Sequence, residues 1–120
     1  MIPDAQLQPP FADSMGIKVT QISPDRVVGE LLVRDKHGNG FGMLHGGAAM
    51  ALADSLGGMA TMANLPKGSR TATIESKTNF FAAISVGDTA RAESTPLIAA
   101  ALRWFGRRAS RGTTENCARW

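Results

Sequence analysis

Residues 45–64 read HGGAAMALADSLGGMATMAN, and this stretch decides the fold. It is too long for an ordinary strand, so it predicts a helix opening at His45-Gly46-Gly47 and running to about Asn64. From Gly46 to Asn64 the only ionisable side chain is Asp54. A helix that is apolar on nearly every side must be buried on nearly every side. Its many small residues let a curved sheet come close all round. The pattern therefore predicts an α+β domain, an antiparallel sheet wrapped around a long central helix, with part of that helix facing a partner subunit. The stretch is too short and too rich in glycine to make a membrane span, which needs roughly 20 apolar residues.

The flanks supply the sheet. Residues 9–16, Pro-Pro-Phe-Ala-Asp-Ser-Met-Gly, predict a short helical turn with proline at its start and Gly16 at its end. Residues 17–22 alternate apolar and polar, Ser23-Pro24-Asp25 is turn chemistry, and residues 27–33 form a second strand-like run, so a β-hairpin is expected. Residues 35–43 make a loop carrying Gly38, Gly40 and Gly42. Beyond the helix, Leu65-Pro66-Lys67-Gly68-Ser69 breaks it. Residues 71–81, rich in β-branched and aromatic side chains, predict a strand. Val86-Gly87-Asp88 predicts a turn, and residues 89–95 another strand with one solvated face.

A chain of 120 residues is one domain. Its apolar share of 43% is ordinary for a globular protein. Met1-Ile2-Pro3-Asp4 has neither the basic nor the apolar region of a secretory signal. The single cysteine, Cys117, leaves no internal disulfide, and the default expectation is a cytoplasmic protein. Two histidines and one cysteine are too few for a structural zinc site, and no metal or cofactor is expected.

The segment before the helix carries the candidate chemistry. A glycine-rich loop entering a helix leaves bare backbone N–H groups at the positive end of the helix dipole. Such donors can stabilise the oxyanion that develops on a carbonyl under attack. Gly46 and Gly47 let a ligand carbonyl come close without a Cβ in the way. Asp54 can act as a nucleophile or as the base that activates water. Asn39 can hold a carbonyl or a water through its amide. These parts suit acyl transfer or hydrolysis and require no metal. Each residue alone also has a plain structural reading. An Asp in a helix can cap neighbouring backbone, a His beside a helix start often bonds to backbone, and a threonine on a strand is ordinary. The order and spacing of the set give it weight.

The pattern N-x-x-G-x-L-H-G-G-x-x-x-x-L-A-D, from Asn39 to Asp54, resembles that of hotdog-fold acyl-CoA thioesterases of the phenylacetate-pathway (PaaI-like) branch. T-x-E-x-K-x-N-F-F-x-x-x-x-x-G-D, from Thr73 to Asp88, resembles the strand that follows the helix in that family. The resemblance covers roughly residues 10–95. It implies a hotdog fold and hydrolysis of a small acyl-CoA, aromatic ones included, to free acid and coenzyme A. Gly46 would polarise the thioester carbonyl through its N–H, Asn39 would position carbonyl or water, and His45 would shape the turn. Asp54 would be the nucleophile or general base, a choice the family leaves open, with Thr73 orienting water or the carboxylate. Gly47, Phe41 and Phe81 are expected to touch substrate. The resemblance also implies a homodimer or homotetramer with the site shared between subunits, Asn39 and Gly46 facing Asp54 and Thr73 of the other copy. A non-catalytic acyl-CoA-binding protein of the same fold, or an inactive truncated relative, is the alternative.

Charge is split along the chain. Through residue 95, eight Lys or Arg face nine Asp or Glu, whereas residues 97–120 hold five Arg against one Glu. After Pro96 the hotdog pattern should continue with two strands. Residues 97–120 instead read LIAAALRWFGRRASRGTTENCARW, with no strand alternation. Restoring one nucleotide near Leu97 permits a string that alternates, turns at Asp-Asp-Gly-Lys and alternates again, a hairpin signature. The expectation is thus an incomplete hotdog domain over residues 1–96 and an out-of-frame tail over 97–120. Without two strands, a sheet edge and apolar helix surface would be exposed and activity poor. The arginines show no defined face with interleaved aromatics, so neither nucleic acid nor membrane is expected as a partner.

Overall fold

The computed structural model describes residues 8–97. Helix α1 spans Pro10–Met15, with proline in its first turn and Gly16 closing it in the left-handed conformation at φ 78°. Strand β1 spans Lys18–Ile22 and strand β2 Val27–Leu32, paired as the expected antiparallel hairpin. Strand β3, Thr89–Ser94, adds to the other side of β2, so the sheet order is β1-β2-β3. Helix α2 spans Gly46–Asn64 and lies on one face of this sheet.

Alternation sets which side chains meet the helix. Val27, Leu31 and Val33 on and just after β2 and Ala90 and Ala92 on β3 are buried, and they form one core with Leu52 and Leu56 of α2. Gly29 lies between Val27 and Leu31 on that same face. A Cβ there would stand 2.7 Å from Leu56 Cδ2 and 3.3 Å from the Lys18 carbonyl oxygen. The absent side chain is what lets α2 sit this close to the middle of β2. On α2 itself Ala49, Leu52, Ala53, Leu56, Gly57 and Met59 are buried, a spacing of three and four that marks one helix face. The described sheet therefore covers one side of α2 rather than all of it.

Residues 71–81 correct one expectation. They form no strand, and none of their backbone groups bonds to another described residue. A strand is defined by its ladder, and composition alone does not supply a partner. The segment instead runs back along α2, with Thr73 beside Asp54 and Phe80 beside Gly46. Ile74 and Phe81 on it are exposed. The Arg-rich segment and its expected frame error lie outside the described residues, as do Cys117 and the first seven residues. No helix among the described residues is long and apolar enough to cross a membrane.

Candidate active site

The loop before α2 is built by hydrogen bonds that the glycines make possible. A 3₁₀ turn at Asp35–His37 follows β2. The chain then folds on itself, with Asn39 N–H donating to the Met43 carbonyl at 2.8 Å. Gly40 and Gly42 sit at φ 85° and 76°, where an L side chain is strained. The far side of the loop is pinned by Leu44 N–H to the Ile84 carbonyl and Val86 N–H to the Gly42 carbonyl, at 2.8 and 2.9 Å.

Asn39 has its amide orientation fixed by this loop. Its Oδ1 accepts from Phe41 N–H at 2.8 Å and Met43 N–H at 3.3 Å. Both partners are donors, so the oxygen must be the atom turned inward. The Nδ2 group is left facing away as a donor, the polarity a carbonyl oxygen requires.

His45 is the N-cap of α2. Its Nδ1 accepts from Gly47 N–H at 2.8 Å, and its carbonyl accepts from Ala48 and Ala49 N–H at 2.9 and 3.1 Å. The N–H groups at the helix start are thereby accounted for, with one exception. Gly46 N–H makes no hydrogen bond among the described residues. His45 thus withdraws Gly47 from ligand binding through its N–H and leaves Gly46 as the donor at the positive end of α2.

Asp54 lies half-buried farther along α2, and its Oδ1 accepts from Thr73 Oγ1 at 2.7 Å. The structure therefore joins these two predicted residues within one chain. It does not join Asp54 to Gly46. Eight residues of helix separate them, a rise of about 12 Å. A carbonyl oxygen about 3 Å from a donor, with its carbon about 3 Å from a carboxylate, allows roughly half that span. One chain's Asp54 and Gly46 cannot act on the same carbonyl.

Phe41 and Phe81, the predicted substrate contacts, are 84% and 89% exposed. The aromatic ring at the helix start belongs to Phe80, whose Cζ would lie 3.3 Å from a Cβ on Gly46. Sequence reasoning missed it because two adjacent phenylalanines give no sign of which one lies over the helix start, and Phe80 there is still 54% exposed. It also missed His37, which is 4% exposed. His37 Nδ1 accepts from Arg34 N–H at 3.0 Å and its Nε2 lies 2.8 Å from the Met15 carbonyl, so the ring is the tautomer that donates from Nε2. The His37 carbonyl accepts from His45 N–H at 2.8 Å. One buried residue therefore ties α1, the loop and the start of α2 together. No group of three His, Cys, Asp or Glu that could hold a metal occurs among the described residues.

The family model described as domain of unknown function (DUF4442) matches residues 4–114. The structure is similar to that of S. sahachiroi AziG, at 26% identity and TM-score 0.71 over 76% of this chain and 74% of that one. A mutant of the phenylacetic acid degradation protein PaaI from Thermus thermophilus is 28% identical, with TM-score 0.66 over 75% of each chain. A mutant of thioesterase PA1618 from Pseudomonas aeruginosa has TM-score 0.72 at 23% identity, over 82% of this chain and 74% of that one, a likeness of fold. The antiparallel sheet on one long helix is thus the hotdog fold of thioesterases.

Proposed function

The chain belongs to the DUF4442 family, and on that footing we propose that it is an acyl-CoA thioesterase, hydrolysing a small acyl-CoA to the free acid and coenzyme A. The observation that carries this reading is the pair of half-sites on α2. At its start Gly46 presents an N–H with no other described partner, and the loop that leads into it leaves the Asn39 amide N–H as a donor. Farther along, Asp54 is held by the Thr73 hydroxyl. Donors for a developing oxyanion and a carboxylate for the attack are the two requirements of thioester hydrolysis.

The half-sites are about 12 Å apart along the helix, so the working site takes Gly46 and Asn39 from one copy and Asp54 and Thr73 from another. The exposed Ile74 and Phe81 on the segment beside α2 suit burial against that second copy. The thioester carbonyl oxygen accepts from Gly46 N–H and the Asn39 amide. Asp54 then removes a proton from water, whose oxygen bonds to the carbonyl carbon, or its own oxygen bonds to that carbon. Either route gives a tetrahedral adduct, and the second leaves an anhydride, opened by water, once the sulfur has gone. Collapse breaks the C–S bond, and the thiolate leaves as coenzyme A with a proton. The likeness to the phenylacetic acid degradation protein PaaI, on a fold shared with the thioesterase PA1618, supports this class of reaction.

The test is release of thiol from a panel of short and aromatic acyl-CoAs by the wild-type chain and by Asp54→Asn. The substitution should lower kcat by about 10²-fold or more while leaving the oligomer and its melting temperature unchanged. Tight binding of acyl-CoA with no thiol release by the wild type would instead establish an acyl-CoA-binding protein.

A further inference from the structure

We propose that Phe80 limits the bulk that the acyl group can carry next to the thioester carbonyl, an inference that rests on the thioesterase reading above. The three outer atoms of its ring, Cζ, Cε1 and Cε2, would lie 3.3, 3.5 and 3.9 Å from a Cβ built on Gly46. The end of the ring therefore points at the Cα of the residue whose N–H faces the carbonyl. Backbone geometry puts a Cβ about 2.5 Å from its own nitrogen, so the ring tip stands within about 6 Å of that donor. A carbonyl oxygen bound there shares its surroundings with Phe80, and the ring is near enough to meet a group branched beside the carbonyl.

Chemistry at the ring edge agrees with this placement. The rim of a phenyl ring carries the positive part of its quadrupole, so it tolerates a carbonyl oxygen that gathers negative charge. It offers a flat apolar wall to the first carbons of the acyl chain. A methylene beside the carbonyl, as in an arylacetyl or straight-chain acyl group, fits such a wall. A branched carbon at that place meets it. The course of residues 71–81 along α2, on which Thr73 bonds to Asp54, brings Phe80 to this place. Both phenylalanines are exposed, Phe80 at 54% and Phe81 at 89%, and it is the Phe80 ring whose atoms lie nearest Gly46. The preferred substrate class is thus an acyl-CoA unbranched at the carbon next to the carbonyl.

The experiment compares kcat/KM for phenylacetyl-CoA with kcat/KM for 2-methylpropanoyl-CoA in the wild-type chain, Phe80→Ala and Phe80→Leu. The wild type should favour phenylacetyl-CoA. Phe80→Ala should shift the ratio toward the branched substrate by about 10-fold or more, the usual size of one pocket contact, and Phe80→Leu by less. If Phe80→Ala fails to fold, Phe80→Leu carries the comparison. A ratio unchanged in both variants, or an equal loss on both substrates, overturns the assignment while leaving the thioesterase reading intact. No turnover of any acyl-CoA by the folded wild type overturns that reading instead. Calorimetric affinities for the thioether analogues of the same two acyl-CoAs then decide on Phe80, an affinity ratio unmoved by Phe80→Ala counting against it.

Discussion

The Thr73 hydroxyl donates a hydrogen bond to Asp54 Oδ1 at 2.7 Å, across a sequence separation of 19 residues. It is one of the contacts by which residues 71–81 meet α2, and it engages one oxygen of the carboxylate. A group that attacks or deprotonates must be held in place at small angular tolerance. Thr73→Val should therefore lower kcat about 10-fold with little change in KM, and Thr73→Ser should recover most of the loss. Steady-state kinetics of the three chains decides it. Equal kcat in all three would leave the hydroxyl with a structural role only.

Asn39 combines two tasks that one substitution can separate. Asp at this position can still accept from Phe41 and Met43 N–H, but it has no donor left for a carbonyl. Asn39→Asp should keep the melting temperature within about 2 °C and lower kcat by about 10²-fold, the loss typical of one oxyanion donor. Asn39→Ala should lose both stability and rate. A fully active Asn39→Asp would remove Asn39 from the site.

Gly29 faces Leu56 with no room for a side chain. Gly29→Val should destabilise the domain by about 1–3 kcal/mol through overpacking. In urea titrations the double variant Gly29→Val, Leu56→Ala should lose less than the sum of the single losses, since each relieves the other. Strict additivity would mean that the two residues do not meet in solution.

His37 is buried with both ring nitrogens engaged. His37→Phe keeps the bulk but orphans the Arg34 N–H and the Met15 carbonyl, at about 1–3 kcal/mol for each group left unsatisfied. Amide hydrogen exchange should quicken at Arg34, because its partner is the ring itself, while the backbone bond from His45 to the His37 carbonyl survives. Unchanged protection at Arg34 would refute the clasp.

The reading frame of the segment after Pro96 can be settled at the DNA. Resequencing across the codons for Thr95 to Ala100 is expected to find one further nucleotide. If the gene reads as written, and the 120-residue chain melts cooperatively as a native oligomer, the segment belongs to the protein in its present frame.

The hairpin, α1, α2 and β3 are legible in the sequence because each rests on local patterns: alternation, proline and glycine at ends, and one long apolar run. Residues 71–81 mislead because a strand needs a distant ladder that no window of sequence contains. The same segment hides the choice between Phe80 and Phe81, since without a ladder the alternation has no fixed phase. Asp54 and Thr73 are expected to act together, and they meet. Gly47 reads as open to ligand, yet its N–H is taken by His45. Nothing in the spacing distinguishes Gly46 from Gly47, and only the cap geometry does. His37 belongs to no motif, and its role arises from packing alone.

The distance between Gly46 and Asp54 along one helix has a genetic consequence under the proposed arrangement. A chain damaged at Asp54 still lends a sound helix start to its neighbour, and one damaged at Asn39 still lends a sound carboxylate. Two such defective alleles expressed together would rebuild one working centre in each mixed pair. An allele carrying both lesions would rescue neither and would poison every assembly it entered.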